Sequence, residues 1–189
     1  MAYEPSFSPD GQRVVFESHP VDVETQGTIT KHRLDNTVRY QALTAPSDDC
    51  RQPNWSPAGD KILYQKLTEG QWDIWIMNAD GTEKRQLTTG PGSKTDASFS
   101  PDGQWIVYSA EHQSDYANLF IISVNGGAAI RVTDFDGYDG APSWSQDGKI
   151  IFESHPGDPD RTKGTTLWVI DAPGWQACCQ KRKASPTVD

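Results

Sequence analysis

A short motif that occurs four times constrains this chain more than any other feature. Each copy contains an aromatic residue, a serine, a turn of the Pro-Asp-Gly type and then a β-branched run. The motif serines Ser8, Ser56, Ser100 and Ser145 lie 48, 44 and 45 residues apart. A period of about 45 residues is typical of stacked or radially arranged supersecondary units. The chain is therefore predicted to be an array of repeats.

Each motif predicts a β-hairpin. Proline presets φ, aspartate can bond the turn backbone and glycine accepts a positive φ, so the motif favours a tight turn. The run after each turn is rich in β-branched and aromatic side chains, as strands are. These runs are 13–16, 61–64, 105–108 and 149–152. The innermost strands are expected near residues 5–8, 53–56, 97–100 and 142–145.

Two further strands are predicted after each hairpin. The third strands are apolar runs that end in turn residues, at 74–78, 119–123 and 167–171, with a more polar counterpart at 29–34. Short strand-like segments follow at 40–44, 85–88 and 130–133. Four strands per repeat, joined as a meander, make the blade of a β-propeller. The expected fold class is all-β, and no helix longer than about two turns is expected.

The order of these segments resembles the PD40 (WD40-like) repeat of TolB-type β-propellers. The resemblance rests on the Trp/Phe-Ser-Pro-Asp-Gly motif, the strand and turn at 73–81 and the closing segment at 85–88. It implies four blades of four-stranded antiparallel meanders within residues 1–174, followed by an irregular tail at 175–189. The implied blades are about 3–46, 47–90, 91–135 and 136–174.

Two repeats depart from the motif of the family. Ala58 replaces the aspartate of the second turn, and Gln146 replaces the proline of the fourth. The fourth repeat also lacks a recognisable Leu-Thr closing strand. Propellers of this family usually have about six to eight blades. We therefore expect an incomplete propeller unit, either a fragment or a homo-oligomer whose arcs complete a ring, with a closed four-bladed ring as the alternative.

The aromatic residue of each motif is expected to pack between blades. Its position on the strand is the same in every repeat, which favours a core role over a sugar-stacking platform. We predict that these side chains are largely buried: Phe7, Trp55, Phe99 and Trp144.

Charge and composition narrow the classes of partner. The chain has 17 basic and 26 acidic residues, a net charge of −9. This balance disfavours nucleic acids and anionic membrane surfaces, which bind clustered Lys and Arg. No apolar run approaches about 18 residues and no signal peptide precedes the first hairpin, so we expect no membrane insertion. A periplasmic location is implied by the family resemblance alone.

The three cysteines predict neither a disulfide framework nor a zinc site. They are Cys50, Cys178 and Cys179, an odd number of which two are adjacent. Adjacent cysteines have poor geometry for a simple structural bridge, and the spacing of zinc ligands is absent.

Acidic and imidazole side chains recur in the loops opposite the Pro-Asp-Gly turns, an end of the blades that we call the loop face. In a four-stranded meander the loops between the second and third strands and between blades leave at this end, where function is expected. The candidate binding residues are Glu17, His19, Asp49, Asp96, His112, Asp139, Glu153 and His155.

These side chains have two interpretations. Oxygen-rich clusters suit Ca²⁺ or Mg²⁺, and mixed His and carboxylate sets suit Mn²⁺ or Zn²⁺. Asp158 and Asp160 are weak metal candidates. Alternatively, Asp and His in such loops cap strand ends and turns. No cofactor is expected other than a possible Ca²⁺ or another divalent metal.

Catalytic motifs are missing from the sequence. It contains no Gly-x-Ser-x-Gly nucleophile elbow, no phosphate-binding loop and no His-Glu-x-x-His helix. We therefore expect a non-enzymatic module that binds a protein or peptide through its loop face. The resemblance also implies two alternatives, a metal-dependent polysaccharide lyase and the accessory propeller of a larger peptidase-like protein. A lyase for acidic sugars needs basic residues beside its metal, which an acidic face does not supply.

Overall fold

The computed structural model describes residues 1–35, 40–113, 116–156 and 164–173. Within them the chain consists of β-strands and loops, and the helical content is a single 3-10 turn at Pro46–Asp48. The predicted all-β fold is confirmed. The described part of the chain contains no helix able to cross a bilayer.

The strands form consecutive antiparallel meanders, which we number as blades one to four. The first two blades are separate sheets whose strands are β1 (Ala2–Phe7), β2 (Arg13–Ser18), β3 (Thr28–Arg33), β4 (Gln41–Ala42), β5 (Cys50–Trp55), β6 (Lys61–Thr68), β7 (Gln71–Asn78) and β8 (Arg85–Gln86). The strands of the last two are β9 (Lys94–Phe99), β10 (Trp105–Gln113), β11 (Tyr116–Ser123), β12 (Ile130–Arg131), β13 (Gly137–Trp144), β14 (Lys149–Pro156) and β15 (Thr166–Asp171). Blades three and four share one sheet because Tyr138 of β13 pairs in parallel with Ala117 of β11.

The motif serine explains why each hairpin turns where it does. The hydroxyl of Ser100 donates to Asp102 Oδ1 at 2.7 Å and accepts the Trp105 N–H at 2.9 Å. In the second repeat, where Ala58 occupies the aspartate position, Ser56 donates instead to Asp60 Oδ1 at 2.9 Å. A carboxylate two residues further along the chain therefore replaces the one that the motif lacks.

A threonine hydroxyl closes each of the first three blades. Thr44, Thr88 and Thr133 each accept a backbone N–H of the third strand at 2.9 Å. The side chain supplies a hydrogen bond that a longer fourth strand would otherwise make. The fourth strands can therefore be as short as two residues.

The innermost strands contain a repeated irregularity. The residue four positions before each motif serine has a positive φ, with values of 49°, 50°, 57° and 46° for Glu4, Gln52, Asp96 and Ala141. The pairing register shifts at the same place in every blade, as in a β-bulge. These strands begin three to five residues earlier than predicted and end before the serine, because the serine already belongs to the turn.

The hydrophobic core lies between the blades in three clusters. Alternation along β6 sends Ile62 and Tyr64 into the cluster shared with blade one and Leu63 into the cluster shared with blade three. A third cluster joins blades three and four, where Val107 packs with Phe152. Each middle blade is thus apolar on both faces, as a stacked repeat requires.

Burial of the motif aromatics follows their position in the stack. Trp55 and Phe99 are buried as predicted, and Trp144 is partly buried. The prediction for Phe7 was wrong, because its side chain is 64% exposed. No described residues cover the face of blade one on which Phe7 lies.

The outer face of blade four is also uncovered among the described residues. Ile151, Leu167 and Val169 are exposed, although their counterparts in blade three are buried in the third cluster. Those counterparts are Val107, Leu119 and Ile121. Both ends of the stack therefore present apolar sheet faces, as expected for an incomplete propeller.

Candidate functional site

A concave site of the loop face lies where blades one and two meet. It is a cleft of about 840 Å³, which we call the mouth cleft, lined among others by Glu4, Glu17, His19, Arg51, Gln52 and Trp72. An antiparallel meander brings the starts of its first and third strands and the end of its second strand to one end of the blade. That end is opposite the Pro-Asp-Gly turns.

A buried carboxylate and a buried imidazole form one wall of the mouth cleft. Glu17 lies on β2 and His19 directly follows that strand, and the two side chains contact each other. The imidazole Nε2 is hydrogen-bonded to Glu17 Oε1, and Nδ1 lies 3.4 Å from the carbonyl oxygen of Thr25. The other carboxylate oxygen of Glu17 accepts the N–H of Gln52 at 3.2 Å. The pair thus connects blade one to blade two.

A stacked arginine forms the opposite wall. The guanidinium carbon of Arg51 lies 4.8 Å from the centre of the Trp72 ring, and Nη2 donates to the carbonyl oxygen of Glu24 at 2.7 Å. Arginine on an indole face is a favourable cation–π arrangement. It ties the loop between β2 and β3 to the second blade.

Asp49 anchors the same loop from below. Its Oδ1 accepts the Gly27 N–H at 2.9 Å and lies 3.5 Å from Arg51 Nε. A Cβ atom on Gly27 would lie 2.6 Å from the carbonyl oxygen of Cys50, so a larger residue does not fit here. Asp49 therefore caps the loop that ends at Gly27.

The bulged residues of the inner strands line the channel along the propeller axis, below the mouth cleft. Gln52 Nε2 donates to Glu4 Oε1 at 3.3 Å, and Gln52 Oε1 accepts the Asp96 N–H at 3.2 Å. Ala141 completes the set in blade four. These contacts link the bulges of the first three blades around the channel.

Three carboxylates, those of Glu4, Glu17 and Asp96, lie near one another at the channel mouth. Loss of solvent raises the pKa of Glu4, and the nearby charges of Glu17 and Asp96 raise it further, while the hydrogen bond from Gln52 and the charge of Arg51 oppose this shift. A cation bound beside these carboxylates would relieve the repulsion that Glu4 experiences from its neighbours. Sequence reasoning missed Glu4 and Gln52, although a polar residue precedes three of the four motif serines by four positions.

The remaining candidates lie elsewhere. His112 lies in a groove between blades two and three, where its Nδ1 is 3.3 Å from Asn118 Nδ2. Asp139 lines a groove between blades three and four. Glu153 and His155 repeat the positions of Glu17 and His19 on β14, and His155 stacks on Tyr138 with ring centres 5.0 Å apart.

The structure therefore brings together Glu17, His19, Asp49 and Asp96, but not the other four predicted residues. Asp158, Asp160 and the tail at 175–189 lie outside the described residues. Among the described residues, no three His, Cys, Asp or Glu side chains are placed to hold a metal ion together.

Comparison with known proteins shows relatives that are longer than this chain. It is 30% identical over 105 residues to the uncharacterized protein Atu1656 of Agrobacterium fabrum, across 55% of this chain and 36% of that protein. It is 31% identical over 105 residues to the uncharacterized peptidase YuxL of Bacillus subtilis, across 52% of this chain and 16% of that protein. The chain thus spans about a third or less of the length of these relatives.

The fold is shared with a solved structure. The putative TolB from Agrobacterium tumefaciens superposes with a TM-score of 0.75 at 23% identity, over 90% of this chain and 61% of that one. The family model of the TolB β-propeller domain, PD40, matches residues 1–159. Since this match covers most of the chain, and the strands meander as the repeat predicts, the chain belongs to the PD40 family of TolB β-propeller domains.

Proposed function

We propose that this propeller unit is a non-catalytic module that binds a basic protein or peptide segment at the mouth cleft. The observation that carries the proposal is the set of carboxylates Glu4, Glu17 and Asp96 at the channel mouth, where Glu4 is hydrogen-bonded to Gln52 and the charges of Glu17 and Asp96 raise its pKa. The net charge of −9 attracts a cationic partner over a longer range.

The dimensions and walls of the cleft support a peptide ligand. Its volume of about 840 Å³ is within the range of sites that accept a drug-sized ligand or several side chains. Carboxylates bind ammonium and guanidinium groups through charge-assisted hydrogen bonds. The stacking of Arg51 on Trp72 is an example, within the chain, of how this wall accommodates a cationic side chain.

The module fits best as the propeller part of a larger, peptidase-like protein. This is favoured by the similarity to the peptidase YuxL, of which this chain covers 16%. In such a protein the module would select or guide peptide segments, and the chemistry would belong to another domain. A lyase for acidic oligosaccharides is disfavoured, because the cleft carboxylates would repel the carboxylates of the substrate.

A calorimetric titration with two matched peptides tests the proposal. The first alternates Lys with Gly and Ser, and the second replaces every Lys with Glu. We expect saturable binding of the basic peptide that weakens as salt rises, and no binding of the acidic one. Binding of both with equal affinity, or of neither, would contradict the proposal.

Charge-neutralising variants locate the binding site. Glu4→Gln and Asp96→Asn should each weaken binding about twofold to fivefold, as the loss of one exposed charge pair does. Gln52 already occupies the bulge position of Glu4 in blade two, so the first variant is compatible with the backbone. Glu83→Gln is the matched control, since Glu83 is exposed on the turn between β7 and β8, at the other end of the blade. An equal loss in the control would mean that net charge, and not the cleft, binds the peptide.

A further inference from the structure

A second concave site lies at the junction of blades three and four. It is a groove of about 570 Å³, which we call the junction groove, lined in part by Phe135, Asp139, Phe152, Ser154 and Trp168. It shares no lining residue with the mouth cleft. Its walls contain three aromatic side chains, the buried carboxylate of Asp139 and the exposed carboxylate of Asp134, which is paired with Arg131.

The equivalent space in blade two shows which chemical group such a groove can hold. At the junction of blades one and two, Lys66 lies on β6 and extends over Trp75 of the neighbouring strand. Its Nζ is 4.9 Å from the centre of the Trp75 ring and 2.8 Å from Asp48 Oδ1. The ammonium group of the chain itself thus occupies the space between an indole and a carboxylate.

In blade four the indole is kept and the lysine is missing. Phe152 pairs with Trp168 as Tyr64 pairs with Trp75, so Ser154, two residues after Phe152, occupies the position of Lys66. The shorter side chain leaves the Trp168 ring 57% exposed in the groove.

A carboxylate also appears where blade two has a thiol. Cys50 pairs with Lys66 in the ladder of blade two, and Asp139 pairs with Ser154 in blade four. Asp139 is only 2% exposed, and its Oδ1 has no hydrogen-bond partner among the described residues. A buried carboxylate oxygen without a partner is costly, so this atom marks an unfilled polar position.

The junction of blades two and three supports this comparison. In blade three, Lys94 occupies the strand position that Asp139 occupies in blade four, and it pairs with Ala110. Lys94 forms a buried ion pair with Asp73, with Nζ 3.3 Å from Oδ1. At both of the other described junctions a lysine of the chain thus satisfies a buried or half-buried carboxylate. At the junction groove, within the described residues, the carboxylate is present without the ammonium.

We propose that the junction groove binds a primary alkylammonium group, the chemistry of a lysine side chain, with its nitrogen at Asp139 Oδ1 and over the Trp168 ring. The ammonium gains a charge-assisted hydrogen bond and a cation–π contact. The alkyl chain packs against Phe135 and Phe152, which excludes water from the ion pair. This site is independent of the mouth cleft and of the function proposed for it.

An NMR titration that follows the Trp168 indole N–H tests the proposal. The signal is assigned with Trp168→Phe, and the probes are n-butylammonium, N-acetyl-lysine methylamide and the neutral n-butanol. We expect saturable shifts with the amines and none with the alcohol. If both amines bind, the groove accepts a peptide lysine, and if only butylammonium binds, it accepts a free amine. Binding of neither amine, or equal binding of the alcohol, overturns the proposal.

Substitutions then assign the binding to the groove carboxylate. Asp139→Asn should weaken amine binding by about tenfold or more, as expected when a buried charge partner is removed. The matched control is Asp136→Asn, since Asp136 directly precedes β13, is exposed and does not line the groove. Equal effects of the two variants would refute a specific site. Glu4→Gln should leave amine binding unchanged, so failure of this proposal is distinguishable from failure at the mouth cleft.

A converse variant fills the groove with a lysine of the chain. Ser154→Lys places a lysine at the position equivalent to Lys66. Its ammonium group should occupy the groove, abolish binding of the free amines and raise Tm by about 2–4 °C. Ser154→Met, of similar length without charge, should also block the groove but give a smaller rise in Tm. Unchanged amine binding in folded Ser154→Lys would overturn the proposal.

Discussion

Replacing Ser100 with alanine tests whether the repeated serine stabilises each blade through its side-chain hydrogen bonds. The Ser100 hydroxyl makes a bond of 2.7 Å to Asp102 and one of 2.9 Å from the Trp105 N–H. Ser100 is completely buried, so water does not replace the lost oxygen. The Trp105 N–H therefore loses its partner within the protein.

The expected loss follows from the number of bonds and their burial. Each hydrogen bond contributes about 0.5–1.5 kcal/mol, and a buried donor left without a partner costs about 1–3 kcal/mol. Ser100→Ala should therefore destabilise the fold by about 2–3 kcal/mol. For a chain of this size that corresponds to a fall in Tm of about 4–12 °C.

Ser145 is the matched comparison in blade four. It makes the equivalent bonds, to Asp147 and from the Lys149 N–H at 2.9 Å, but on an exposed turn. Water can satisfy the exposed groups, so Ser145→Ala should cost only about 0.5–1 kcal/mol. Urea unfolding followed by circular dichroism measures both losses. Equal losses, or a larger loss for Ser145→Ala, would refute the role assigned to burial.

Three further predictions concern acid stability, the end of the stack and the buried thiol. Hydrogen bonds, first of all from the Ser8 hydroxyl, lower the pKa of Asp10 from 3.8 to about 2. Since the pKa of Asp10 is lower in the folded than in the unfolded state, this stabilisation is present above about pH 4 and is lost as the pH falls towards 2. The unfolding free energy of Asp10→Asn, measured over this range, should therefore depend less on pH than that of the unchanged protein. Phe7→Ala should cost less than about 0.5 kcal/mol, because the side chain is exposed, whereas Trp55→Ala should cost about 3–5 kcal/mol; similar losses in urea titrations would contradict the open end face. Burial raises the pKa of the Cys50 thiol to about 12, so in a variant whose two tail cysteines are serine, a thiol reagent at pH 8 should react only after denaturant is added.

The repeat period and the hairpin motifs were sufficient to predict the blades. Strand composition placed the second and third strands correctly, because their apolar alternation reflects a face on each neighbouring blade. The same reasoning failed for Phe7, since burial of a motif aromatic depends on a neighbouring blade and not on the motif itself.

The candidate site was only partly predictable. Glu17 and His19 could be found because the same pair recurs at the end of the second strand in the fourth repeat, as Glu153 and His155. The bulge that directs Glu4 and Gln52 to the channel depends on a positive φ at non-glycine residues, and side-chain type does not reveal that. Ser154 of blade four occupies the position that Lys66 occupies in blade two. This equivalence could be recognised only from the pairing register of the strands. Local composition predicts elements, whereas a site depends on which elements become neighbours.

Because of the repeated bulge, the residue types that line the channel can vary while the fold of the blades stays the same. Four different side chains, those of Glu4, Gln52, Asp96 and Ala141, occupy the same backbone geometry. The pairing ladder is interrupted at this point, so no cross-strand partner restricts the residue type. A scaffold with approximate rotational symmetry thus carries an asymmetric pattern of two acids, one amide and one methyl group. We therefore expect a cationic ligand, if bound in the channel as proposed, to orient its positive side towards the first and third blades.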